Sequence, residues 1–221
     1  MVSVLGVDGC PGGWIGARLD GAAVTWHLLP DATSVLALAV DAVAIDIPIG
    51  LPDHAARACD TAARRLLGRR GTTVFTAPVR AVLDATSYAE ACELSRRQAG
   101  RAISRQTWAI VPRIRDVDEA LGERTDVLEV HPEASFRTMT GRDLPSKHGS
   151  PGIAARIAAL QTWLPAVLTD LERLPAGPRL DDALDALAVA WTARRWTQGV
   201  ATVLPDPAPA DARGRPMRIV V

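Results

Sequence analysis

The chain has 221 residues, 48% of them apolar and 23% charged, and its 25 basic residues are balanced by 25 acidic ones. That neutrality argues against a protein that holds nucleic acid through a strong overall positive field, and the apolar share argues against disorder. Cys10, Cys59 and Cys92 are too few and too scattered for a disulfide framework or a zinc-thiolate site, which suits a reducing cytoplasm. No window reaches the roughly 18 apolar residues of a membrane span, and the opening MVSVLGVDG lacks the basic region and apolar run of a secretory leader. Lys147 is the sole lysine, a skew that fits a GC-rich coding genome better than a general need for bidentate guanidinium groups.

In chain order, VSVLGVD (2–8) reads as a short buried strand ending on an aspartate. GCPGG supplies turn chemistry, and WIGARLD and AAVTWHLL read as two further strands around the hairpin dipeptide Asp20-Gly21, so three antiparallel strands are expected. Residues 31–40 have helical spacing behind a cap at Asp31 or Thr33, and AVAIDIPIG is a buried strand, again carrying an aspartate before a Pro-Gly stop. A strand reached through a helical crossover lies parallel to the first, which brings both strand ends to one side of the sheet.

From about 53 to 122 the pattern turns mainly helical, with a loop around RRGTTVFTAPVR. Ten arginines fall between Arg57 and Arg105, against Asp60, Asp84, Glu90 and Glu93, and they form either a solvated helical face or a phosphate-binding surface. Strand character returns in DVLEVHPEASF. A polar, glycine-rich connection (GRDLPSKHGSPG) follows, then one amphipathic helix over about 153–173, a last helix (LDDALDALAVAWTARRW) behind an acidic cap, and a closing strand MRIVV. The length and the absence of repeats or long linkers favour one domain over 1–221 with a helical insertion after the fourth strand.

The chemistry is expected where the strand-end aspartates meet. Asp8 alone would be a turn former, but Asp46 interrupts an apolar run where an unpaired charge is costly, and a metal ion or buried cation would relieve that cost. Asp182 and Asp185, three residues apart, share a face of the last helix. Capping and the helix dipole account for Asp182 and its neighbour Asp181 but not for Asp185.

DALDALAVA resembles the carboxyl-terminal helix of Holliday-junction-resolvase-like members of the ribonuclease-H superfamily, VLGVDG that superfamily's first strand and AIDIPIG its fourth. Over the whole chain, GVDGCPGGW, AIDIPIGLP, RACDTAARRLLGRR, VFTAPVR, QTWAIVPRIRDVD, EVHPEASF and DDALDALA are similar to an uncharacterised family of predicted ribonuclease-H-like nucleases. The resemblance implies an α/β fold, a ribonuclease-H-like mixed five-stranded sheet flanked by helices. It places Asp8, Asp46, Asp182 and Asp185 at the superfamily's acidic positions, with aspartate at 46 where related resolvases often carry glutamate. EVHPE matches the uncharacterised family alone, which makes Glu129, His131 and Glu133 second-tier candidates. Arg69, Arg70, Arg80 and Lys147 are candidates for phosphate contacts.

A carboxylate set suits Mg²⁺ or Mn²⁺. The expected chemistry is phosphodiester hydrolysis in nucleic acid, with Asp8 touching or bridging two ions about 3.5–4 Å apart and the other aspartates completing their shells. Three rival readings fit parts of the sequence. A sugar-kinase or actin-like phosphotransferase needs two such halves, for which the chain is short. Thiol chemistry at Cys10 has no histidine nearby in sequence. A non-catalytic nucleic-acid or protein binding module that keeps the fold is the main alternative. No membrane partner is expected, and a homo-oligomer is compatible with the sequence.

Overall fold

In the computed structural model, which describes residues 2–221, the three opening strands are Ser3–Cys10 (β1), Gly13–Asp20 (β2) and Ala23–Leu29 (β3), paired antiparallel in succession. Ala32–Leu36 (α1) follows, capped by Asp31, whose carboxylate accepts from the Ser34 amide at 2.7 Å. Ala42–Ile45 (β4) is buried at all four positions, as a strand covered on both faces should be, and it runs parallel to β1.

Three helices come next: Ala58–Leu67 (α2), Tyr88–Ala99 (α3) and Arg105–Leu121 (α4), with 3-10 turns over Gly68–Thr73 and Arg80–Asp84. Leu128–Glu129 (β5) pairs parallel with β4. The strand expected over DVLEVHPEASF stops there, because Pro132 takes the first turn of the helix Pro132–Thr140 (α5). The single helix expected over 153–173 is two, Ser150–Gln161 (α6) and Val167–Glu172 (α7). Pro165 lies between them, and it can neither donate a helical hydrogen bond nor leave its predecessor helical. Leu180–Thr197 (α8) closes the helical set, and Val203–Leu204 (β6) and Ile219–Val220 (β7) are short strands near the C-terminus. No helix among the described residues is long and apolar enough to cross a membrane. The main sheet is mixed, five-stranded and ordered β3-β2-β1-β4-β5.

By internal contacts the chain forms two compact units. The first comprises, among the described residues, 2–46, 126–202 and 220–221, and the second comprises 47–125 and 203–219. The formal charges divide with them. The first unit carries nine basic and fourteen acidic residues, a deficit of five, and the second carries sixteen arginines and eleven acidic residues, a surplus of five.

In the first unit, α8 lies against one face of the sheet. Residues Ala183–Ala190 of α8 are all buried or nearly so, which explains why this helix shows no polar stripe. Its alanines allow a close approach at Gly6 of β1: a Cβ there would stand 2.1 Å from the Ala190 nitrogen and 2.3 Å from the Ala186 carbonyl oxygen. Val4, Ile15, Ala17, Leu19, Ala44, Leu128 and Val130 share that face and join the α8 alanines in the core.

The second unit is organised by buried ion pairs. Asp118 of α4 accepts from Arg80, Arg213 and Arg215, while Asp211 accepts from Arg80 at 2.5 Å. Asp60 of α2, fully buried, is clamped by Arg57 at 2.6 Å. Removing one partner of such a pair strands a charge, so these arginines are structural in the first instance.

Gly6→Ala is therefore expected to destabilise the protein by about 3 kcal/mol or more, read as a lowered thermal midpoint, because backbone rather than a movable side chain blocks the new methyl group. Gly12→Ala is the contrast. Gly12 has φ +85° with nothing within 4 Å of an added Cβ, so its smaller loss would come from backbone strain alone.

Candidate functional site

The β1–β4 register sets the site. Val7 pairs with Ile45, and the Asp46 amide donates to the Val7 carbonyl at 3.0 Å, so Asp8 and Asp46 are neighbours where the β1–β4 pairing ends. β1 itself runs two residues past the expected stop at Asp8, paired with β2 as far as Cys10. Side chains alternate along a strand, which puts Asp8 on the face of Gly6 and Val4, the face that α8 covers. From that helix Asp185, 2% exposed, meets them. Asp182 stands one turn earlier and is half-buried.

Electrostatics reports how closely these groups interact. Loss of hydration raises Asp8 well above the usual carboxylate range, and the charges of Asp46, Asp185 and Asp182 push it further. The same loss of hydration lifts Asp46 to about 7, with Lys147 pulling down and Glu133 pushing up. Asp185 rises to about 6 through desolvation, moderated by Lys147 and, more weakly, by Arg156. Asp182 is also raised, chiefly by desolvation.

Lys147 is the cation of the cluster. It reaches in from the loop between α5 and α6, and its Nζ lies 2.5 Å from Asp185 Oδ2. Asp185, Asp8 and Asp46 together outweigh its own desolvation and raise its affinity for the proton. The sequence reading assigned Lys147 to phosphate, whereas here its ammonium is paired with a site carboxylate.

Asp182 also has a structural task. The last helix starts at Leu180 rather than behind an acidic cap: Arg179 is the capping residue, and its amide donates to Asp182 Oδ2 at 2.9 Å. Asp185 lies beyond that first turn and takes no part in the cap, so its burial has to be explained by the cluster.

The second-tier residues separate. Glu133, in the first turn of α5, is near enough to act on Asp46, but its carboxylate accepts from Arg156 at 2.6 Å. Glu129 pairs in register with Ile45 and so projects to the sheet face opposite Asp8 and Asp46. His131 caps α5 through its carbonyl, which accepts from the Ala134 and Ser135 amides. Arg69 and Arg70, exposed and half-buried, and the ion-paired Arg80 belong to the second unit.

Arg156 is the residue that sequence reasoning missed. It is wholly buried, donates to Glu133 and to the carbonyls of Pro145 and Gly152, and thereby ties α6 to the loop bearing Lys147. A signal was available: Arg156 falls on the apolar stripe of α6, between Ile153 and Leu160, where an arginine needs a buried partner.

The donor set is all carboxylate oxygen, largely desolvated and short of positive charge, which fits a hard divalent ion. Among the described residues no three His, Cys, Asp or Glu side chains are already gathered closely enough to hold one together. Cys10, Cys59 and Cys92 are each buried and lie in no disulfide.

The chain belongs to the family described as protein of unknown function (DUF429), whose model matches residues 6–210. No curated protein and no solved structure matches it.

The raised carboxyls make a signed prediction. The folded protein holds the proton of Asp185 up to about pH 6 and that of Asp46 up to about pH 7, while the unfolded chain releases both near pH 4. Their contribution to stability is therefore lost as pH rises through that upper range and regained below it. Metal-free protein is expected to melt higher at pH 5.5 than at pH 8. Asp46→Asn should flatten that dependence and raise the pH 8 midpoint by a few degrees. Burial lowers His27, which works in the opposite direction over the same range, so the comparison with Asp46→Asn isolates the aspartates. Indistinguishable pH profiles for the two proteins would remove the electrostatic account of the cluster.

Proposed function

We propose that this member of the DUF429 family is a metal-dependent nuclease of ribonuclease-H-like architecture that hydrolyses phosphodiester bonds in nucleic acid. One observation carries the reading: Asp8, Asp46 and Asp185 come into one neighbourhood from two parallel strands and a helix, with Lys147 as the near cation. The sheet order, with three antiparallel strands followed by two parallel ones, supports the architectural half. The surplus of positive charge in the second unit supports a polyanionic substrate.

Asp8, Asp46 and Asp185 would hold Mg²⁺ or Mn²⁺, with Asp182 adding charge from the helix start. Bound divalent ions supply Lewis-acid stabilisation of phosphoryl oxygens and an activated water. The chain's own contribution is threefold. The strand register fixes the spacing of Asp8 and Asp46. The packing of α8 at Gly6 fixes Asp185 against them. Arg156, paired with Glu133 and bound to the Pro145 carbonyl, braces the loop from which Lys147 reaches Asp185, and the Lys147 ammonium would offset negative charge beside a bound phosphate.

The second reading, a non-catalytic binding module, draws on the same neighbourhood. The Lys147–Asp185 pair and the capping bond of Asp182 give two of the four aspartates work that needs no metal.

Calorimetry and turnover separate the two. Under the nuclease reading, wild-type protein binds Mn²⁺ and Asp8→Asn weakens it at least tenfold, the equivalent of about 1.4 kcal/mol. The wild type cleaves oligonucleotides in Mn²⁺ or Mg²⁺ and is inactive in chelator. Asp185→Asn loses at least about a hundredfold in rate, or roughly 2.7 kcal/mol of transition-state stabilisation. Failure of the wild type on duplex, single-stranded, hybrid and branched substrates, with one of them tightly bound, would replace the enzyme by the binding module.

A further inference from the structure

The second unit contains a cavity of about 400 Å³, within the usual range of ligand pockets, whose wall includes Arg64, Phe75, Arg101, Ser104 and Gln106 and no carboxylate at all. Phe75 stands on its lip. At 43% exposed it is the one Phe, Tyr or Trp side chain among the described residues that is open to solvent, the others being buried or half-buried.

That exposure is held in place. Arg64 donates to the Val74 carbonyl at 2.8 Å and to the Thr76 hydroxyl at 2.7 Å, Thr107 donates to the Thr76 carbonyl, and the buried Asp60 accepts from the Ala77 amide at 3.0 Å. Val74 and Ala77 are buried, so the backbone on both sides of Phe75 is anchored while its ring is turned outward. The facing wall is anchored as well: Ser95 donates to the Arg101 carbonyl at 2.7 Å, and Tyr88 donates to that of Ile103. Ala55, the one non-glycine residue at positive φ (62°) among the described residues, also lines the cavity.

The charge of the rim is one-sided. Helix α4 starts at the cavity behind the Ser104 cap, and its first turn contains no acidic residue to offset the helix dipole. Arg105 occupies that turn instead, its guanidinium 4.3 Å above the Tyr88 ring. An exposed ring beside cationic groups, on a rigid support, is the combination that single-stranded nucleic acid selects: bases stack without regard to sequence and cations follow the phosphates. A duplex, whose bases are already stacked, has no use for the ring.

We propose that this cavity is a binding site for one nucleotide of a single strand, with its base stacked on Phe75 and its phosphate at Arg101 and the start of α4. The proposal rests on the nuclease reading for its substrate class and narrows that class to nucleic acid with unpaired bases.

The test is fluorescence anisotropy of the full chain with a labelled oligothymidylate of about twelve nucleotides, in chelator so that nothing is cleaved. Wild-type protein binds, Phe75→Ala weakens binding roughly tenfold without changing the melting temperature, and Phe75→Trp restores it. The salt slope is the same in Phe75→Ala as in wild type but smaller by about 0.7 in Arg101→Ala, as expected for one lost phosphate contact on a single strand. A duplex of equal length is indifferent to Phe75. Binding of the oligomer unaffected by Phe75→Ala, or no binding by wild type at low salt, would overturn the site. Thymidine monophosphate binding as tightly as the oligomer would overturn the strand in favour of a free nucleotide. The two readings fail separately. Cleavage with a Phe75-independent affinity removes the pocket alone, and Phe75-dependent binding without cleavage in Mn²⁺ removes the nuclease alone.

Discussion

Everything at the acidic site depends on how closely α8 approaches β1. The helix backbone stands where a Cβ on Gly6 would be, so the approach requires glycine on the strand and small residues on the helix. With that contact made, Asp185, on the buried face of α8, lies near enough to Asp8 of β1 to act on it by charge. The parallel pairing of β1 with β4 brings Asp46 to the same place. Packing that is itself apolar thus brings three carboxylates near enough to act on one another by charge.

Such an arrangement costs stability. Burial and mutual repulsion both favour the protonated carboxyls, and a single lysine offsets only part of that. Natural proteins retain unfavourable charge clusters where function requires them and find the stability elsewhere. Here the compensation is visible in the continuous core of α8 and in the fully buried Arg156, which satisfies Glu133 and two carbonyls at once. The lysine adds a further property. Its ammonium sits on Asp185 Oδ2, so any divalent ion drawn to that carboxylate shares it with a cation or displaces one.

The second unit uses charge in the opposite sense. Several of its arginines act inward: Arg57 clamps Asp60, Arg80 and Arg215 converge on Asp118, and Arg64 rivets the segment that carries Phe75. Its surplus of five positive charges is therefore not a uniform cationic surface but an internally braced scaffold with cationic groups left over at selected places. A neutral total charge conceals this, because the first unit carries the matching deficit.

The sequence by itself determined the local order. Alternation and turn residues gave the three antiparallel strands, the crossover rule gave the parallel fourth, and the position of Asp46 inside an apolar run marked it as a charge in need of a partner. The spacing of Asp182 and Asp185 was legible in the same way, since helix periodicity is local. Pairings between distant segments were not. Whether Glu129 faces the aspartates depends on a parallel register with no sequence signature, and it falls on the opposite face. Lys147 and Arg156 find their carboxylates only when a loop and a helix fold back over the sheet end. Arg80 reads as one arginine in a basic stretch until Asp118 and Asp211, 38 and 131 residues further on, close around it. Local propensity acts over a few residues, whereas the partner of a buried charge is chosen by whichever distant group the packing brings within reach.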